Sequence, residues 1–265
     1  MDRRDFLTLA CLLPAGAVLA APAAPVAAGL SLPTAINKAG RQRLLSQRMA
    51  KAWLMLVQGV LSEKAKSILG QSTQLFEQQL VELKTLQPND DCRAALLLLE
   101  QEWGRYRPQL ADIRSDAKAV WTGSEAVLAA AQKLTVAYER ASGTPGGRLV
   151  NLAGRQRMLS QRAAKAYFFR NMGVNAVEAG QMLDGAMKEF IKAHEELKAA
   201  PQNTAQIKSD LALVEQQWFF FQHALSLREA YDQKKGASDV ATTSERILEQ
   251  MEAVVGQYEK VARDS

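Results

Sequence analysis

The 265-residue chain is poor in the groups that usually carry chemistry. Its two cysteines are Cys11 and Cys92, and Cys11 falls in an N-terminal stretch expected to be removed. Cys92 is then alone, which excludes an internal disulfide and a thiolate metal cage. The two histidines, His194 and His223, sit on predicted helices without carboxylates at ligand spacing, so they read as surface or satisfied side chains and no metal site is expected. No Ser/His/Asp set, Cys/His pair, Gly-rich phosphate loop or carboxylate pair is visible; neither an enzyme nor a cofactor is expected. Period-2 runs of β-branched residues are missing, which leaves no candidate strand. Prolines (eight) and glycines (sixteen) are few beside Ala, Leu, Gln, Glu, Lys and Arg, a balance that favours helix. The net charge of +5 hints at anionic ligands or surfaces, but it is too small to indicate nucleic acid.

The first 25 residues are set aside from the fold. Arg3 and Arg4 precede an apolar stretch from Phe6 to Leu19, followed by small residues with acceptable cleavage points near Ala20 to Ala23. The segment Arg3-Arg4-Asp5-Phe6-Leu7 resembles a bacterial twin-arginine export signal. A retained membrane anchor is the alternative, but the run is short and rich in Ala and Pro. Cys11 lies too early in the run for a lipoprotein site. The expectation is a periplasmic protein.

What the sequence does contain is a repeat. Residues 39–53 read AGRQRLLSQRMAKAW and residues 153–167 read AGRQRMLSQRAAKAY, with twelve of fifteen positions identical at an offset of 114. Phe76 and Phe190 share that offset, Trp103 answers Trp218 at 115, and Tyr138-Glu139 answers Tyr258-Glu259 at 120. The chain therefore reads as a tandem duplication, 31–142 and 148–265, joined by a linker at 143–147 (Gly-Thr-Pro-Gly-Gly). In the first half, helices are expected from about Thr34 to Leu61, from Ser62 to about Leu86, from Asp90 or Asp91 to about Val120, and to about Ala141 after a break at Thr122–Glu125. Breaks in the second half are expected at Gly173–Asn175, Ala200–Asn203 and Lys235–Ser238. Four helices with short connections indicate an up-down four-helix bundle in each half. The fold class is all-α: two tandem bundles related by a pseudo-two-fold, a monomer that imitates a symmetric dimer. Because four antiparallel helices return the chain to its starting end, the first helices of the halves can lie side by side and parallel.

On a helical wheel, Leu45, Met49, Ala52 and Leu56 form the core arc with Trp53 at its edge. Gly40, Arg43, Gln47 and Lys51 share a stripe opposite it, and Arg41 and Arg48 lie between the two. The second copy repeats the stripe as Gly154, Arg157, Gln161 and Lys165. The simplest reading of such a stripe is a solvated face. Against it stand the identity of the polar positions between the halves and a glycine, costly in mid-helix, in both copies. The glycine would admit another backbone closely. Paired helices would set two guanidiniums face to face, tolerable mainly with an anion between them. Arginine suits a planar oxyanion because its fork bonds two oxygens at once. Trp103, Trp218 and Phe219 to Phe221 read as core, although three consecutive Phe cannot all face one way.

The segment Asn37-Lys38-Ala39-Gly40-Arg41-Gln42-Arg43-Leu44-Leu45-Ser46-Gln47-Arg48 resembles the signature of the PilJ-type N-terminal sensory domain of type IV pili methyl-accepting chemotaxis transducers. It is also similar to the sensor domain of nitrate/nitrite sensor histidine kinases, in which each subunit gives one arginine to nitrate at the dimer axis. That resemblance implies Arg43 and Arg157 as the nitrate-arginine equivalents and Gly40 and Gly154 as the preceding glycines, with Gln47 and Gln161 as further ligand-binding candidates. The second copy departs from the pattern with Asn151-Leu152 where the first has Asn37-Lys38, and Arg41-Gln42 and Arg155-Gln156 are bulkier than in the nitrate kinases. The implied ligand is a small oxyanion such as nitrate or nitrite, and the implied partner a membrane sensor, chemoreceptor or transporter. The rival expectation is a ligand-free interaction module.

Overall fold

The computed structural model describes residues 29–226 and 233–264; the expected export signal lies outside them. Among the described residues there are eight helices and no strands: α1 (Leu32–Val57), α2 (Ser62–Leu83), α3 (Asp90–Ala111), α4 (Ala117–Ser142), α5 (Pro145–Asn171), α6 (Ala176–Lys198), α7 (Ala205–Ser226) and α8 (Gln233–Asp264). None is long and apolar enough to cross a membrane.

Local chemistry explains most of the boundaries. Ser31 caps α1 by accepting from the Thr34 amide, with Pro33 in the first turn. Asn89, rather than the expected Asp90 or Asp91, caps α3 by accepting from the Cys92 amide at 2.9 Å. The break between α3 and α4 lies at residues 112–116, not at Thr122–Glu125. Gly123 was read as a helix breaker, but it is a point of close approach: a Cβ there would stand 2.5 Å from Tyr106 Cδ2 on α3. The expected break at Lys235–Ser238 likewise falls inside α8. The connection between halves is shorter than 143–147. Gly143 ends α4 in the left-handed region (φ 61°), Thr144 caps α5, and α5 begins at Pro145.

Each half is an up-down four-helix bundle built by the same bonds. Gln42 Nε2 donates to the Phe76 carbonyl, and Gln156 Nε2 to the Phe190 carbonyl. Phe76 stacks on Trp103 at 4.2 Å between ring centroids, and Phe190 on Trp218 at 3.6 Å. The Tyr138 hydroxyl donates to the Leu83 and Leu86 carbonyls, and the Tyr258 hydroxyl to the Leu197 carbonyl. The Phe run divides: Phe221 is buried, whereas Phe219 and Phe220 are exposed, contrary to the core reading.

The two bundles meet through α1 and α5. These helices run parallel: Asn37 near the start of α1 meets Arg157 of α5, and Gln58 just beyond the end of α1 donates to the Phe168 carbonyl near the end of α5. Both are enclosed on nearly all sides, so one core runs through the two halves.

The α1–α2 and α5–α6 connections share an unusual backbone. Leu61 and Asn175, equivalent at offset 114, both have φ 47°, and each is preceded by a left-handed glycine, Gly59 or Gly173. Asparagine tolerates this region, whereas an apolar residue such as leucine, whose Cβ crowds the backbone carbonyl and whose side chain offers no local hydrogen bond, pays roughly 1–2 kcal/mol. Leu61 is 38% exposed, so little burial depends on it. Leu61→Asn is expected to raise stability by about 0.5–1 kcal/mol, read as a higher Tm in a thermal melt followed by helical circular dichroism; a lower Tm contradicts the assignment of strain.

Candidate functional site

The polar stripes do not face solvent. Arg43, Gln47 and Lys51 on α1 and Arg157, Gln161 and Lys165 on α5 are all fully buried. The solvated-face reading fails because each stripe packs against the other bundle.

Arg43 and Arg157 meet over the two glycines. A Cβ on Gly154 would have the Arg157 Nη2 at 3.3 Å and the Arg43 Nη2 at 3.5 Å. A Cβ on Gly40 would have the same two nitrogens at 3.9 and 3.0 Å. Beyond its own stretch of helix, no other atom comes within 4 Å of the Gly154 position, and no backbone atom of the facing helix is among the three nearest at Gly40. The glycines were expected to admit a neighbouring backbone; they make room for guanidinium ends instead.

The two arginines are held differently. Arg157 donates to Glu252 of α8 at 2.7 Å and to Asn37 Oδ1 at 2.9 Å. Arg43 donates to Gln132 Oε1 of α4 at 2.6 Å and to the Asn151 carbonyl at 3.3 Å. The Nε of each lacks a hydrogen-bond partner. Arg157 thus touches a carboxylate and Arg43 touches none. Burial, aided by Arg155 and Arg157 and opposed by the more distant Glu139 and Glu189, lowers Arg43 to about 9. Burial lowers Arg157 as well, but there Glu252 opposes it. A buried cation with no carboxylate in contact is costly, and an anion in hydrogen-bond reach would reduce that cost.

Gln47 and Gln161 lie one turn further along and turn towards the fourth helices. Gln47 Nε2 donates to the Ser124 carbonyl and Gln161 Nε2 to the Ser244 carbonyl, at 3.0 and 2.8 Å. Their amide oxygens are buried without a partner. The structure therefore brings Gly40, Arg43, Gly154 and Arg157 together and sets the two glutamines beside that group.

The next residues of the stripe cross between the bundles. Lys51 bonds Ser244 Oγ and Glu245 of α8, at 3.0 and 2.6 Å. Lys165 bonds Ser124 Oγ and Glu125 of α4 at the same two distances. Arg48 joins Glu245 and Arg162 joins Glu125, both at 2.6 Å. Burial lowers both lysines to about 8. Burial raises the Glu245 carboxyl, but Lys51 and Arg48 outweigh it and bring the group down to about 2. Arg41 pairs with Glu252, so that carboxylate serves a guanidinium from each half.

Sequence reasoning missed these fourth-helix partners. The signal was present: Ser124-Glu125 and Ser244-Glu245 recur at the offset of 120 already carried by Tyr138 and Tyr258. His194 is buried and packs against Phe190 with ring centroids 6.0 Å apart, away from the arginines.

The unequal support predicts unequal costs. Arg43→Met removes a buried cation that has no carboxylate in contact and is expected to stabilise the anion-free protein, on the order of 1 kcal/mol. Arg157→Met leaves Glu252 with Arg41 alone and is expected to cost about 3 kcal/mol. Thermal melts of both variants in anion-poor buffer check this; equal losses contradict the asymmetry.

The family model described as type IV pili methyl-accepting chemotaxis transducer N-term (PilJ) matches the chain twice, over residues 30–139 and 141–234. No curated protein and no solved structure matches. The first match spans α1 to most of α4 and the second spans α5 to α7, so each bundle carries its own copy. With most of the chain matched in two successive segments, the protein belongs to the PilJ family of chemotaxis-transducer N-terminal domains, a sensory and signalling family rather than an enzyme family.

Proposed function

We propose that this protein is an exported sensory receptor that binds one small oxyanion, nitrate or nitrite, between α1 and α5 and signals to a separate membrane sensor, chemoreceptor or transporter. The observation that carries this reading is the pair of fully buried arginines meeting over two glycines, one of them without a carboxylate. Arg43 and Arg157 would bond the anion's oxygens, and the bare glycine positions would leave their guanidinium ends room to turn towards it. Gln47 and Gln161 would border the site. The periplasmic location rests on the twin-arginine-like start, Arg3 to Leu7.

The anion would act by population shift. It relieves the repulsion between the two guanidiniums and so favours one placement of α1 against α5. The reciprocal pairs Lys51–Glu245 and Lys165–Glu125 would carry that placement to α8 and α4. The same pairs support the rival reading, in which the duplicated motif only fastens the bundles together and docks a receptor.

Calorimetric titration of the exported form with nitrate and nitrite separates the two. One site per chain is expected, weakened at least about tenfold by Arg43→Ala and by Arg157→Ala. Gly154→Ala provides the second arm. Its methyl would stand against both guanidiniums, so binding is expected to fall at least about tenfold, while stability holds or rises by about 0.5–1 kcal/mol as a mid-helix glycine is replaced. Absence of binding by wild type, with Tm falling in the arginine variants, supports the fastening role instead.

A further inference from the structure

The pseudo-symmetry breaks at one position beside the arginine pair. At offset 120 the fourth helices match Glu125 with Glu245 and Glu139 with Glu259, but Gln132 with Glu252. Arg157 therefore meets a carboxylate at 2.7 Å where Arg43 meets an amide at 2.6 Å. The remaining nearby charges are already engaged. Arg41 pairs with Glu252, Arg155 with Glu189, and Glu139 and Glu259 accept from the amides of Asn151 and Asn37. Arg43 is the member of the pair left without an anionic contact, and its Nε is buried and unpartnered.

The surroundings continue this difference to the surface. Gln132 borders a cleft of about 510 Å³ between α3 and α4, where Lys133 and Arg140 outnumber the single acidic residue, Asp91. Glu252 borders a separate cleft of about 330 Å³ between α1 and α8, where Glu245 and Glu249 add two carboxylates to Arg41 and Arg48. An anion meets a more favourable field on the Gln132 side.

We infer that Gln132 sets the charge of the ligand: the site takes one singly charged oxyanion, seated against Arg43 and approached from the α3–α4 cleft, and rejects doubly charged ones. This rests on the anion-binding reading above. Of the two arginines only Arg157 has a carboxylate in contact, shared with Arg41, so Arg43 is the end of the pair where a single negative charge is best placed. A second carboxylate would neutralise Arg43 from within. Two amides would take Glu252 away from Arg157 and Arg41 together and so favour a more highly charged anion. In the present site a dianion would place its second charge near Glu252, whose partly buried carboxylate would repel it.

The test titrates wild type, Gln132→Glu and Glu252→Gln with sodium nitrate and with sodium sulfate at constant ionic strength. Wild type is expected to prefer nitrate by at least about tenfold. Gln132→Glu is expected to weaken nitrate by at least about tenfold and to raise the Tm of the anion-free protein. Glu252→Gln is expected to shift the preference towards sulfate. Nitrate binding to Gln132→Glu as tight as to wild type, or equal affinity of wild type for both anions, overturns the inference and leaves the binding reading standing. Wild type that binds neither anion overturns both. If Glu252→Gln loses its helical circular dichroism, wild-type selectivity and Gln132→Glu decide alone.

Discussion

Two fully buried guanidiniums that face one another are the constraint around which the rest of this structure is arranged. Charges of one sign in a dry interior repel strongly and lose their hydration, so each needs local partners. Arg157 has Glu252 and the Asn37 side chain; Arg43 has Gln132 and the Asn151 carbonyl. Those partners come from the opposing first helix and from the arginine's own fourth helix, and both must be in register for the pair to exist. The parallel pairing of α1 and α5 supplies the first. The up-down bundle, which returns its fourth helix alongside its first, supplies the second.

The lysine positions extend the same logic across the bundles. Lys51 of the first half reaches Ser244 and Glu245 of the second, and Lys165 reaches Ser124 and Glu125 in return. Helix α8 thus holds Lys51 through Glu245 and Arg157 through Glu252, with Arg41 also on Glu252. Any change in the separation of α1 and α5 must be answered by α4 and α8. On the proposed reading, this is how an anion between two arginines becomes a movement of whole bundles, with Gln132 and Glu252 making the two sides unequal.

Much of this was legible in the sequence. The offset of 114 identified the duplicated helix, the wheel put Gly40, Arg43, Gln47 and Lys51 on one stripe, and helix parity made α1 and α5 parallel. What the wheel could not see was that the stripe lies inside, because an amphipathic pattern defines one apolar face and says nothing of a second, polar interface. Glycine misled twice. Gly123 looked like a break, yet it lies in α4 where Tyr106 packs too closely for a Cβ. Gly40 and Gly154 looked like places for a backbone, yet they accommodate guanidinium ends. Both errors have one cause: a missing side chain marks crowding, and sequence does not say by what. The carboxylates were harder to read, because Glu125, Glu245 and Glu252 lie on helices whose surfaces are otherwise ordinary and become site residues only through tertiary packing.

The most direct test is a crystal structure of the chain grown in nitrate. One planar anion is expected between the guanidinium ends of Arg43 and Arg157, within hydrogen-bond distance of both and closer to Arg43. A structure with no anion between the two arginines, or with nitrate only at surface positions, contradicts the proposed function.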